Sequence, residues 1–153
     1  MPGKGSLLYD TFVLNQSVGT MLGKALSPAP LSPEEYAIYS HIFEYDRCTP
    51  SEIARDLGMP LQTVSDWVAL LRKRGHLVST TNDQDRRSYR MSLTDEGLQL
   101  QRESNVYFER AYRLFIKGLG RSEREMRTYV QQMTQATRTA TATIERQLLE
   151  QTG

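Results

Sequence analysis

One cysteine, Cys48, stands in a chain of 153 residues. No intrachain disulfide can brace the fold, and so little cysteine suits a reducing compartment such as the cytoplasm. Histidine is as scarce: with only His41 and His76, imidazole and thiolate ligands are too few for a metal site of that kind. The Leu7-Leu8 pair near the start is interrupted at once by Tyr9-Asp10-Thr11, which argues against a signal peptide. No apolar run approaches the roughly 20 residues that a membrane helix needs, so no membrane partner is expected. Phosphate loop, dinucleotide fingerprint and Ser-His-Asp constellation are all missing, which disfavours an enzyme and implies no cofactor. Charge of one sign is missing too. Nineteen Lys and Arg face 18 Asp and Glu for a net charge of +1, so any case for nucleic-acid binding must rest on where the cations sit.

What is present is helical periodicity with clear punctuation. Leu8, Phe12, Val18, Leu22 and Leu26 predict a helix over Ser6–Leu26, broken by Ser27-Pro28-Ala29-Pro30. Ser32-Pro33-Glu34-Glu35 combines a capping serine, proline at the first helical position and a glutamate that closes a capping box. A second helix follows, to about Tyr45. Thr49-Pro50-Ser51-Glu52 repeats the signal for a short third helix ending at Gly58, and a fourth runs from Met59-Pro60 to Lys73-Arg74-Gly75. The period then changes to two. Tyr89, Met91 and Leu93 alternate with Arg90 and Ser92 as a half-buried strand, with Leu77–Thr81 as its partner and Asn82–Asp85 as the turn. Thr94 caps a long fifth helix, and Ser122-Glu123-Arg124-Glu125 reads as a capping box for a sixth. Met126, Val130, Met133, Thr137, Ala140 and Ile144 make a stripe along that last helix.

Within this order, Ser51 to Leu71 has the pattern of a helix-turn-helix. Ile53, Ala54 and Leu57 face inward from a short helix, Gly58 makes the turn, and Val64, Val68 and Leu71 face inward from the next. The outer face of that second helix carries Gln62, Asp66, Ala69 and Lys73, flanked by Thr63, Ser65 and Leu70. Short and amide side chains near a helix start are suited to reaching base edges in a major groove. An ordinary helical corner with a solvated polar face has the same pattern. A hairpin tipped by Asp83-Gln84-Asp85-Arg86-Arg87 weighs against that alternative, because arginines at a loop apex suit phosphate and a narrow minor groove. From Arg55 to Arg90 seven cations oppose four anions, a balance of +3 in a chain whose whole charge is +1.

Leu31–Tyr36, Ser51–Gly58, Thr63-Val64-Ser65 through Leu71, Arg74–Val78, Asp85–Ser88 and Ser92–Gly97 together resemble the multiple-antibiotic-resistance regulator (MarR) family, in order and at family spacing over about Leu31 to Gly97. The resemblance implies a mainly α fold with a small β-hairpin wing, in which a winged helix-turn-helix core is joined to N- and C-terminal dimerisation helices. It implies a homodimeric, sequence-specific regulator of double-stranded DNA on a pseudo-palindromic operator, a repressor or an activator. Release by a small aromatic or anionic effector is part of the same expectation. Carried onto this chain, Gln62, Thr63 and Ser65 become major-groove candidates and Arg87 the leading minor-groove candidate, with Asp66, Lys73, Arg86 and Ser88 beside them. Two positions depart from the family pattern: Asp66 and Leu70 stand where basic residues are common.

The expected organisation is a dimerisation helix over 1–30, the winged domain over 31–97 and dimerisation helices over 98–153, as one compact unit. Aromatic side chains are concentrated in Phe12, Tyr36, Tyr39, Phe43, Tyr45, Trp67, Tyr107, Phe108 and Tyr112. If they line a ligand pocket rather than fill a core, Phe12, Tyr36 and Tyr39 are its candidates, where the first, second and fifth helices meet. Cys48 precedes the third helix beside Arg47, so its thiol is either an inert loop residue or one with a lowered pKa. The rival function is a winged-helix module for protein–protein contact, with Asp66 and Leu70 marking lost or weak DNA binding.

Overall fold

The structure, a computed structural model, describes residues 5–81 and 89–151. Its elements run α1 (Leu7–Leu26), α2 (Pro33–Glu44), α3 (Pro50–Leu57), α4 (Leu61–Lys73), β1 (Leu77–Thr81), β2 (Tyr89–Leu93), α5 (Asp95–Gly118) and α6 (Glu123–Gln151). This is the mainly helical order with a two-stranded hairpin that the sequence predicts. Residues 1–112 form one compact unit and residues 113–153 a second. No described helix is long and apolar enough to cross a membrane.

Local chemistry starts and stops the helices of the first unit. Both capping boxes are made. Glu35 N–H donates to Ser32 Oγ at 3.2 Å while Ser32 N–H donates to Glu35 Oε2 at 2.9 Å, and Thr49 and Glu52 do the same at 3.3 and 2.7 Å. α3 ends because Gly58 turns left-handed (φ 65°), a conformation an L side chain resists, and its N–H returns to the Ala54 carbonyl. Thr94 starts α5 by accepting from Gly97 N–H at 3.2 Å.

The core of this unit joins the predicted inward faces of α3, α4 and β2 to one face of α2. Ile38, Tyr39 and Ile42 of α2, Ile53 of α3, Val64, Val68 and Leu71 of α4, and Met91 of β2 are all buried to within 1%. The hairpin is antiparallel, with Leu77 opposite Leu93 and Ser79 opposite Met91. A further connection holds the hairpin to the helices: Met91 N–H donates to the Cys48 carbonyl at 2.8 Å, an isolated bridge that places the loop before α3 alongside β2. Cys48 is thus 4% exposed, and burial pushes its thiol up to about 11. The alternative of a lowered pKa is corrected here. Removal from water outweighs any nearby cation, because the thiolate is the form that burial penalises.

The second unit contains α6, 29 residues long with none buried. Ser122 Oγ accepts from Glu125 N–H at 3.3 Å, while the Glu125 carboxylate takes a 3.1 Å bond from Arg121. Thr134 and Thr137 donate their hydroxyls to the carbonyls four residues back at 2.9 Å, which satisfies those groups within the helix.

Candidate nucleic-acid interface

α4 has one face in the core and one in water. The geometry follows from helical spacing: Val64, Val68 and Leu71 lock the inner face, so Gln62, Asp66, Ala69 and Lys73 fall on the opposite side, with Thr63 beside them. Gln62, Thr63, Asp66 and Lys73 are exposed, as is Ala69, while Ser65 is half-buried at the margin. Leu61, in the first turn, is 51% exposed. Arg86, Arg87 and Ser88 lie outside the described residues.

The polar side chains of this face are not independent. Gln62 Nε2 donates to Asp66 Oδ1 at 2.9 Å, one helical turn away. Among the described residues no side chain caps the α4 N-terminus, where Pro60 occupies the capping position, in contrast to α2 and α3.

The cations of the region divide into structural and outward-facing groups. Arg74 Nη1 donates to Glu35 Oε1 at 2.6 Å, tying the end of α4 to the start of α2. Burial pushes the Glu35 carboxyl up, but the Arg74 hydrogen bond, then the Ser32 N–H, outweigh it and leave the group below its ordinary range. Arg55 pairs with Asp56 at 2.8 Å. Arg72 lies 4.1 Å over the Tyr89 ring and donates to Ser79 Oγ at 2.8 Å, so it is directed along the hairpin. Arg90 donates to the Arg47 carbonyl at 2.8 Å. Part of the local positive charge read from the sequence is therefore used to assemble the domain.

A cleft of about 590 Å³ opens among α1, α2 and α5. Leu22, Leu26 and Phe43 contribute apolar walls; Ser40, Gln101, Arg102 and Asn105 contribute polar groups. Tyr36 lines it as expected: its hydroxyl donates to Asn105 Oδ1 at 2.6 Å, and its ring stacks on Phe108 at 4.9 Å. Tyr39 and Phe12 do not. Tyr39 is wholly buried in the core, its hydroxyl sharing a 2.7 Å hydrogen bond with His76 Nδ1, whereas Phe12 is 61% exposed on α1. The α5 residues Gln101, Asn105 and Phe108 were missed, although their four- and three-residue steps mark one helix face. His41 also borders the cleft; its Nε2 is buried with no hydrogen-bond partner among the described residues, 3.7 Å from Asp56 Oδ2.

Comparison with solved structures places this architecture. The chain superposes on the M. tuberculosis transcriptional regulator MOSR, solved with DNA, at a TM-score of 0.74 and 19% identity, covering 88% of this chain and 98% of that one. The PcaV regulator from Streptomyces coelicolor, solved with its natural ligand, gives 0.69 and 22%, covering 89% and 94%. E. coli MarR without ligand gives 0.64 and 19%, covering 86% and 96%. At these identities the likeness concerns the fold: the chain has the winged helix-turn-helix fold of MarR-type regulators. No family model matches the sequence, and no curated protein matches it.

Proposed function

We propose that this chain is a cytoplasmic, DNA-binding transcriptional regulator that works as a homodimer and is released from its operator by a small aromatic or anionic ligand. One observation carries the DNA reading: the outer face of α4 is open to solvent and polar, on a helix whose inner face is locked into the core. Such a helix can enter a major groove without rearrangement of the domain. Gln62, Thr63, Ser65 and Asp66 then meet base edges, and Lys73 approaches the backbone. The uncapped N–H groups at the start of α4 are placed to receive a phosphate. Arg86, Arg87 and Ser88 complete the contact from the wing, with Arg87 in the minor groove. The DNA complex of the M. tuberculosis regulator supports the same use of this fold.

Unpartnered apolar surface supports the homodimer. α1 exposes Leu7, Leu8, Phe12, Val13 and Leu14, and α6 exposes Val130 and Ile144 while burying no residue. Apolar faces of this length are ordinarily covered, and a second copy covers both. Two coupled subunits then address half-sites about 10 bp apart. The cleft holding Tyr36 and Asn105 is the effector site in this reading. An aromatic ligand would stack beside Tyr36 and Phe108, and a carboxylate or phenolate would find Arg102. Occupancy alters the spacing of the two α4 helices and weakens their simultaneous engagement.

A mobility-shift titration on genomic fragments at two salt concentrations tests the proposal. The expected result is a shifted dimer complex whose affinity falls steeply as salt rises. No shift at low salt would overturn it and favour the protein-contact module, which the acidic Asp66 and the exposed Leu61 at the start of the same helix would suit.

A further inference from the structure

We infer that Asp66 and Gln62 read DNA as a linked pair, in which the Asp66 carboxylate selects cytosine through its exocyclic N4 amino group; this rests on the proposed placement of α4 in a major groove. Both side chains are exposed, one turn apart on the outer face of α4, and Gln62 Nε2 donates to Asp66 Oδ1 at 2.9 Å. A carboxylate only accepts hydrogen bonds, so an amide that meets it must present its NH2 group. The bond therefore decides which groups are left to face a base. Asp66 keeps its second oxygen, and Gln62 keeps its carbonyl oxygen and one N–H.

The major-groove edges sort cleanly against that set. Guanine offers N7 and O6 acceptors and thymine offers O4 and a methyl, so either would set oxygen or nitrogen lone pairs against a desolvated carboxylate. Adenine donates from N6 but places the N7 acceptor beside the second carboxylate oxygen. Cytosine presents the N4 donor with no neighbouring acceptor on its own edge. Among the four bases it alone satisfies Asp66 without a repulsive contact. The free carbonyl and N–H of Gln62 match adenine N6 and N7 at an adjacent position, and the bond to Asp66 reduces the freedom Gln62 loses on docking. The carboxylate also repels every phosphate nearby, which weakens binding to unrelated DNA more than it weakens binding to the correct site. An aspartate in this position exchanges affinity for discrimination.

Selection of bound duplexes from a randomised library tests the pair, using the full chain as wild type, Asp66→Asn, Asp66→Ala and Gln62→Ala, each checked for folding by thermal melt. Wild type is expected to enrich cytosine about tenfold at one fixed position of each half-site. Asp66→Asn moves that position toward adenine, because an amide pairs with N6 and N7 together. Asp66→Ala relaxes the position to all four bases and strengthens binding to unrelated duplex severalfold at about 50 mM salt. Gln62→Ala keeps cytosine with weaker enrichment. Selected sequences that are the same in wild type, Asp66→Asn and Asp66→Ala would overturn the inference and leave the DNA-binding function standing. Wild type that enriches no duplex at low salt would overturn both. Asp66 is exposed, so Asp66→Asn carries the test even if the alanine variant melts early.

Discussion

The backbone carbonyl oxygen of His76 lies 2.5 Å from where a Cβ on Gly97 would stand. That oxygen also accepts from Thr94 N–H at 3.1 Å, so the start of α5 is seated directly on the start of β1. Gly97→Ala forces backbone apart rather than a flexible side chain aside. The expected cost is about 1–3 kcal/mol, or roughly 2–4 °C in Tm per kcal/mol. Urea denaturation of the two proteins at one protein concentration measures it; equal midpoints would contradict the close approach.

Lys73 and Arg74 are adjacent cations with different tasks. Arg74→Ala removes the 2.6 Å bond to a carboxylate that is 13% exposed, and solvent around the 40% exposed guanidinium limits the loss to about 1 kcal/mol. Its DNA salt slope is expected to stay close to wild type. Lys73→Ala leaves the melt unchanged and lowers that slope by about one, as does Arg87→Ala with a further loss of affinity. Melts and salt-dependent titrations on the three variants separate the tasks. A reversal between Lys73 and Arg74 would show that the ion pair opens on DNA.

Cys48 is expected to be inert in the native protein. Its thiol is pushed up to about 11 by burial, so almost none is thiolate near neutral pH, and the 4% exposure blocks reagents. A chromogenic disulfide reagent should titrate one thiol only after denaturant is added. Rapid native labelling would contradict the seating of the Cys48 loop against β2.

His41 makes stability fall in mild acid. Burial lowers its pKa below the ordinary imidazole value; Asp56 and Glu52 oppose that effect less strongly, and Arg55 adds to it. The unfolded chain therefore takes up the proton first. Stability is full above the unfolded pKa, about 6.5, and is lost as pH falls below it. Glu35 and Glu52, held below the ordinary carboxylate range, contribute their own loss only at lower pH. His41→Phe should flatten the dependence of the urea midpoint between about pH 7 and pH 5. An unchanged fall would place its origin elsewhere.

The homodimer is tested at α6. Val130→Glu with Ile144→Glu puts two charges on its exposed apolar surface without touching a buried residue. Sedimentation should change from a dimer to a monomer. A persisting dimer would remove α6 from the proposed interface.

Local signals in the residues determined the elements, because each can be satisfied within a few positions. A capping serine or threonine finds its glutamate three residues on, Gly58 turns the chain where it stands, and alternation at Tyr89, Met91 and Leu93 states which side of a strand is buried. The outer face of α4 was legible for the same reason, its geometry repeating every turn, whereas the bond between Gln62 and Asp66 was not anticipated. Only the tertiary structure decided which buried face meets which. Periodicity marks Tyr36 and Tyr39 alike as inward, yet one borders a cleft shared with Asn105 and the other bonds His76 in the core. The Arg74 bond to Glu35, the bridge from Cys48 to Met91 and the approach of Gly97 to His76 each join residues far apart in the chain. Such pairings are chosen by the packing of whole elements, and no spacing within one element encodes them.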